Sequence, residues 1–184
     1  MDFMLEKDKL KKLIKERSLK VADEPIFKLS SGKLSRYYID LKQITFDPKG
    51  NYLIGKVMYE LVKEFNPDAC GGLTLGADPI AYGIAFVSLM NGNPIKPFVV
   101  RKEPKGHGMK RQIEGLINPG EKVAVLDDVI TTGSSALKAV KACKDFGLEI
   151  LGVFAVVDRE EGGRENIEKE GIPFHSVFKI SEIL

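Results

Sequence analysis

Cysteine is scarce, occurring only as Cys70 and Cys143, each in an apolar context and neither in a CxxC pair. A disulfide scaffold is thereby excluded, and two buried, reduced thiols are expected. An excess of one charge is also missing: 28 Lys+Arg against 26 Asp+Glu leave a formal net charge of +2. So small a net charge gives no global case for a nucleic-acid partner. No apolar run approaches the roughly 20 residues of a membrane-spanning helix. The N-terminus, Met-Asp-Phe-Met-Leu-Glu-Lys-Asp-Lys, puts charges where a signal peptide has its apolar run. Internal repeats, low-complexity tracts and linkers are lacking as well. The expectation is a cytoplasmic protein with no nucleic-acid or membrane partner.

What is present is an ordinary globular balance, 43% hydrophobic and 29% charged over 184 residues. That length predicts one domain, residues 1–184, with enough chain to bury a core. Leu5, Leu10, Leu13 and Ile14 predict an amphipathic helix over 4–17. Residues 26–29 and 37–41 predict two short strands around a Ser-Ser-Gly turn. Leu53, Val57, Leu61 and Phe65 repeat at helical spacing after a turn at 47–50. Strands then alternate with helices. Strands are predicted over 69–75, 95–101, 123–127, 149–157 and 173–178. Helices are predicted over 79–90, 134–146 and 164–170, and the low charge of 79–90 predicts burial. Residues 102–118 read as one long basic loop. Apolar strands that are continuous rather than alternating fit a parallel sheet covered on both faces. The predicted fold is therefore an α/β core over about 46–184, with a small N-terminal lobe over about 1–45.

The chemistry concentrates at residues 123–135, Val-Ala-Val-Leu-Asp-Asp-Val-Ile-Thr-Thr-Gly-Ser-Ser. Asp127 and Asp128 fall where the predicted strand ends, the side on which open α/β sheets bind ligands. Small residues let backbone N–H groups turn toward an anion, and the following helix adds a positive N-terminus. Thr131, Thr132, Ser134 and Ser135 add hydroxyl donors. This suits a phosphate monoester. Two carboxylates would repel phosphate, but they accept hydrogen bonds from ribose hydroxyls and favour a cationic transition state at an anomeric carbon. Either half alone is a common way to begin a helix. No Walker A sequence and no complete GxGxxG is present.

In this order the segment resembles the phosphoribosyl pyrophosphate (PRPP) motif of the type I phosphoribosyltransferases. The resemblance implies a mostly parallel central sheet flanked by helices, under a small N-terminal hood. It also implies that Asp127, Asp128, Val129, Ile130, Thr131, Thr132, Gly133, Ser134 and Ser135 bind PRPP, with Mg²⁺ bound mainly through PRPP. A second segment, Arg101-Lys102-Glu103-Pro104-Lys105-Gly106-His107-Gly108, resembles the catalytic loop of the orotate phosphoribosyltransferases. By that resemblance Arg101, Lys102, Lys105 and His107 contact the pyrophosphate. They do so across a homodimer interface, loop 101–111 entering the neighbouring active site. Lys105 and His107 join Asp127 and Asp128 as the catalytic set.

Two further segments resemble that family. Residues 29–40 look like its N-terminal signature, and residues 156–163 look like the segment that supplies an arginine for the carboxylate of orotate. The resemblance thus implies that Thr131 and Arg159 bind orotate, with Lys33, Tyr37 and Tyr38 over the base. The chain departs from the family at two lysines: Ser30 stands at one position, and the Leu75-Gly76-Ala77-Asp78-Pro79 segment lacks the other. The implied activity joins orotate to PRPP, giving orotidine 5′-monophosphate and pyrophosphate in pyrimidine synthesis. A phosphoribosyltransferase for another base and a PRPP-binding regulatory protein are the alternatives.

Overall fold

Val123 to Leu126 alternate strictly between two cores, which shows how this sheet is covered on both faces. Val123 and Val125 pack with one cluster, Ala124 and Leu126 with the other. The structure is a computed structural model describing residues 3–28, 32–103 and 112–184. The chain runs α1 (Phe3–Arg17), β1 (Leu19–Val21), β2 (Phe27–Lys28), β3 (Leu34–Ser35), β4 (Tyr37–Ile39), α2 (Lys42–Thr45) and α3 (Pro48–Val62). Then come β5 (Ala69–Leu73), α4 (Ala77–Met90), β6 (Lys96–Val100), β7 (Ile113–Gly115), β8 (Lys122–Ile130) and α5 (Ser134–Phe146). The chain closes with β9 (Glu149–Asp158), α6 (Gly163–Lys169), β10 (Phe174–Lys179) and α7 (Ile180–Ile183).

Six strands form the central sheet in the order β10-β9-β8-β5-β6-β7. All neighbouring pairs are parallel except β6–β7. Leu10 and Ile14 of α1 join α3 and α4 in the core on one face; Ala139, Val140 and Cys143 of α5 and Ile167 of α6 fill the other. Cys70 and Cys143 are free and buried, and burial pushes both thiols up, Cys143 to about 12. Their reduced, inert state matches the expectation. Among the described residues no helix is long and apolar enough to cross a membrane.

Four expectations need correction. The strand at Tyr37–Ile39 pairs with Leu19–Val21, while Phe27–Lys28 pairs separately with Leu34–Ser35. The Leu19–Val21 strand follows directly on a helix and is too short to carry a period of its own. The predicted loop 102–118 contains β7, whose Ile113 is buried, as is Ile117 just after it. The strand predicted over 123–127 runs on to Ile130, because Val129 and Ile130 stay in register with Val157 and Asp158 of the equally long β9. Helix α4 is not wholly buried: Tyr82, Phe86, Leu89 and Met90 are half or more exposed on its outer side.

Candidate active site

Strand β8 carries the acidic pair and aims it by alternation. Asp127 points inward and is buried; Asp128 lies half-way out. Asp127 Oδ1 accepts the Asp128 N–H at 3.0 Å, and Asp128 Oδ1 accepts the Val129 N–H at 2.8 Å. Burial first, and the charge of Asp128 second, push Asp127 well above the ordinary aspartate range. A carboxyl held that high is common at functional sites, where desolvation is tolerated for the chemistry.

The loop after Ile130 makes a small, polar pocket of about 60 Å³ lined by Asp127 and residues 129–135. Gly133 sits at φ +80°, where a side chain would be strained, and starts the 13-residue helix α5. That helix start has no side-chain cap, and Gly133, Ser134 and Ser135 line the pocket, an arrangement suited to an anion. A close backing holds the loop in shape. Asn166 Nδ2 donates to the Thr132 carbonyl at 3.0 Å. Gly163 packs so near that a Cβ there would stand 2.7 Å from the Thr131 carbonyl oxygen.

Arg159 emerges beside this loop. Its backbone N–H donates to the carbonyl of Ile130, which lines the pocket, at 2.9 Å, so strand β9 ends beside it. The guanidinium is 3% exposed, and the Tyr37 ring covers it with 4.6 Å from Cζ to the ring centroid. Burial raises the Tyr37 hydroxyl despite the opposing charge of Arg159. The N-terminal lobe thus closes over Arg159 through Tyr37. Tyr38 does not take part: it stacks on Phe27 with centroids 6.0 Å apart. Lys33 is exposed next to β3 and makes no hydrogen bond or ion pair with Arg159 or the acidic pair among the described residues.

Arg101 lies just past the end of β6, 3.8 Å from Glu114 of β7, and Lys102 beside it is exposed. Lys105 and His107 lie outside the described residues, as does Ser30. Among the described residues there is no cluster of three or more His, Cys, Asp or Glu side chains able to hold a metal ion.

Sequence reasoning missed Lys42. Its ammonium reaches from α2 to Asp40 at 3.1 Å and Asp128 at 3.9 Å. Burial works against the charge, but the hydrogen bond to Asp40 and the charge of Asp128 outweigh it, so Lys42 is raised. Gly76 approaches the same carboxylate: a Cβ there would stand 2.8 Å from Asp128 Oδ1. The Asp40-Leu41-Lys42 run gives no sign of this, because the partner is more than eighty residues away.

An orotate phosphoribosyltransferase of Aquifex aeolicus is 85% identical over 181 residues, spanning 98% of this chain and 99% of the relative. The chain belongs to the orotate phosphoribosyltransferase family. A solved orotate phosphoribosyltransferase from Mycobacterium tuberculosis, in complex with Fe(III) dicitrate, is 43% identical with a TM-score of 0.83. The match covers 97% of this chain and 98% of that one. The same M. tuberculosis enzyme in complex with PRPP superposes with a TM-score of 0.79 at 37% identity, covering 98% of this chain and 92% of that one. The fold is that of the type I phosphoribosyltransferases, as the resemblance implied. No protein-family model matches the chain.

Proposed function

We infer that this family member transfers the phosphoribosyl group of PRPP to orotate, giving orotidine 5′-monophosphate and pyrophosphate in pyrimidine synthesis. One observation carries the reading: a phosphate-sized polar pocket and a buried guanidinium meet at adjacent strand ends, joined by the Arg159–Ile130 backbone hydrogen bond at 2.9 Å. A phosphate and a carboxylate can therefore be held side by side on one ligand pair. A guanidinium suits the planar carboxylate of orotate, whereas a purine has none to offer.

Residues 129–135 hold the 5′-phosphate, and Asp127 and Asp128 accept hydrogen bonds from the ribose hydroxyls. Thr131 sits at the join between that loop and the base, and Tyr37 and Arg159 hold the base. The ring nitrogen forms its bond to C1′ while the bond from C1′ to the pyrophosphate oxygen breaks, the electron pair leaving with pyrophosphate. Positive charge developing at C1′ is stabilised by the nearby carboxylates. Arg101, Lys102, Lys105 and His107 neutralise the leaving group. Mg²⁺ prefers hard oxygen donors and a mostly hydrated shell, so it fits pyrophosphate oxygens with Asp127 and Asp128 nearby, and when bound it would neutralise charge on the leaving group.

We further propose a homodimer. Tyr82, Phe86 and Leu89 lie one turn apart along the outer side of α4, and Leu75 before its start and Met90 at its end are exposed too, all by half or more. An exposed apolar stripe of this size favours burial against a second copy. Location in the cytoplasm is consistent with two free buried thiols.

An absorbance assay tests the reaction. Orotate is consumed only when PRPP and Mg²⁺ are both present, and adenine does not replace it. PRPP binding without loss of orotate would point to a regulatory protein, and consumption of adenine to a different acceptor.

A further inference from the structure

We propose that Glu161 is a positioning residue for the acceptor: it grips one edge of the Arg159 guanidinium so that the opposite end meets the carboxylate. The proposal rests on reading Arg159 as the residue that binds orotate. Nε of Arg159 donates to Glu161 Oε1 at 2.9 Å, and Nη2 is ion-paired with the same oxygen at 2.8 Å. Nη2 also lies 3.4 Å from Ser35 Oγ. Tyr37 covers the ring face at 4.6 Å. One edge and one face are thus fixed, while Nη1 has no hydrogen-bond acceptor among the described residues. A guanidinium so held has lost rotation about its long side chain before the substrate arrives, which lessens the ordering needed on binding.

The chain is built to bring Glu161 back onto Arg159. Glu160, between them, adopts φ +57°, a left-handed turn uncommon for a residue with a side chain. Two bonds hold that turn: the Glu160 N–H donates to Asp158 Oδ1 at 2.9 Å, and Glu160 Oε2 accepts the Ser181 N–H at 3.1 Å. Strain supported on both sides in this way belongs to a site rather than to a passive loop. Glu161 also supplies the counter-charge that a guanidinium only 3% exposed requires.

The test is steady-state kinetics on Glu161→Ala, Glu161→Gln and Arg159→Lys, each checked for an intact thermal transition. Glu161→Ala raises the KM for orotate by about 10- to 100-fold, while the KM for PRPP changes by less than about 2-fold, a spread within ordinary surface-substitution effects. Glu161→Gln keeps an acceptor oxygen, folds, and recovers part of the loss. An unchanged orotate KM in both Glu161 variants overturns the proposal, as does a lowered one, which would make the glutamate a competitor for the arginine. Arg159→Lys separates the two readings. If it leaves the orotate KM unchanged, Arg159 does not bind the acceptor at all. If it raises that KM and the Glu161 variants do not, only the positioning role fails.

Discussion

The Asp127→Asn protein melts at a higher temperature than the wild type at neutral pH, and yet loses about 10²- to 10³-fold in kcat/KM for PRPP. Both results follow from where the carboxyl sits. Unfolded, it ionises in the ordinary aspartate range; folded, burial and then Asp128 push it well above that range. Between those two values the unfolded chain has released its proton and the folded chain has kept it. Wild-type stability is therefore full below the ordinary range and falls as the pH rises toward the raised value. An asparagine cannot ionise, so the variant lacks this decline, and its amide oxygen can still accept the Asp128 N–H. The difference in melting temperature should close below pH ~4. The activity loss has the opposite origin. Once bound substrate draws the proton off the wild-type carboxyl, it offers negative charge to a cationic C1′ and two acceptor oxygens to the ribose hydroxyls; the amide offers no charge and one acceptor oxygen. Calorimetry across pH, with PRPP kinetics at pH 7, checks both halves. A variant less stable than the wild type at pH 7 would mean that the carboxylate is ionised and well paired in the empty site.

Mixing two inactive variants restores activity if the basic loop serves the neighbouring site. Lys105→Ala removes a cation from the leaving group, and Asp127→Asn disables the site that receives it. In a hybrid dimer with exchanged loops, one site draws an intact loop from the Asp127→Asn copy and keeps its own intact aspartate. The other site carries both defects. Random mixing makes half the dimers hybrid, so about a quarter of wild-type activity returns. Loops acting within their own subunit would leave every site with one defect and return nothing. Arg101 directly follows β6, and its N–H donates to the Gln112 carbonyl at 2.8 Å. Subunit exchange followed by an activity assay reads the outcome, and light scattering confirms that dimers form.

Local chemistry was legible in the sequence; distant pairing was not. The turn from Thr131 to Ser135 could be read because small residues after an apolar strand and before a helix constrain the backbone within a few positions. The strand–helix rhythm from Ala69 onward was legible for the same reason: each buried strand is a continuous apolar run. Strand β7 was hidden because Ile113-Glu114-Gly115 becomes a strand only by pairing with Phe98–Val100 across the basic loop. The swap of strand partners in the N-terminal lobe has a similar cause, since β1 to β4 are two or three residues each. Helix α4 was misread because low charge does not separate a buried face from one kept apolar for another surface. Arg159 was found by resemblance, but its burial under Tyr37, its grip by Glu161 and the approach of Lys42 to Asp128 all depend on contacts the chain order does not show.

The central claim is that the phosphate pocket and Arg159 hold PRPP and orotate for one transfer. Phosphorus NMR and mass spectrometry of a single reaction mixture test it most directly. The account predicts one orotidine 5′-monophosphate and one pyrophosphate for each orotate consumed. Pyrophosphate released with free ribose 5-phosphate, and orotate left intact, would contradict it.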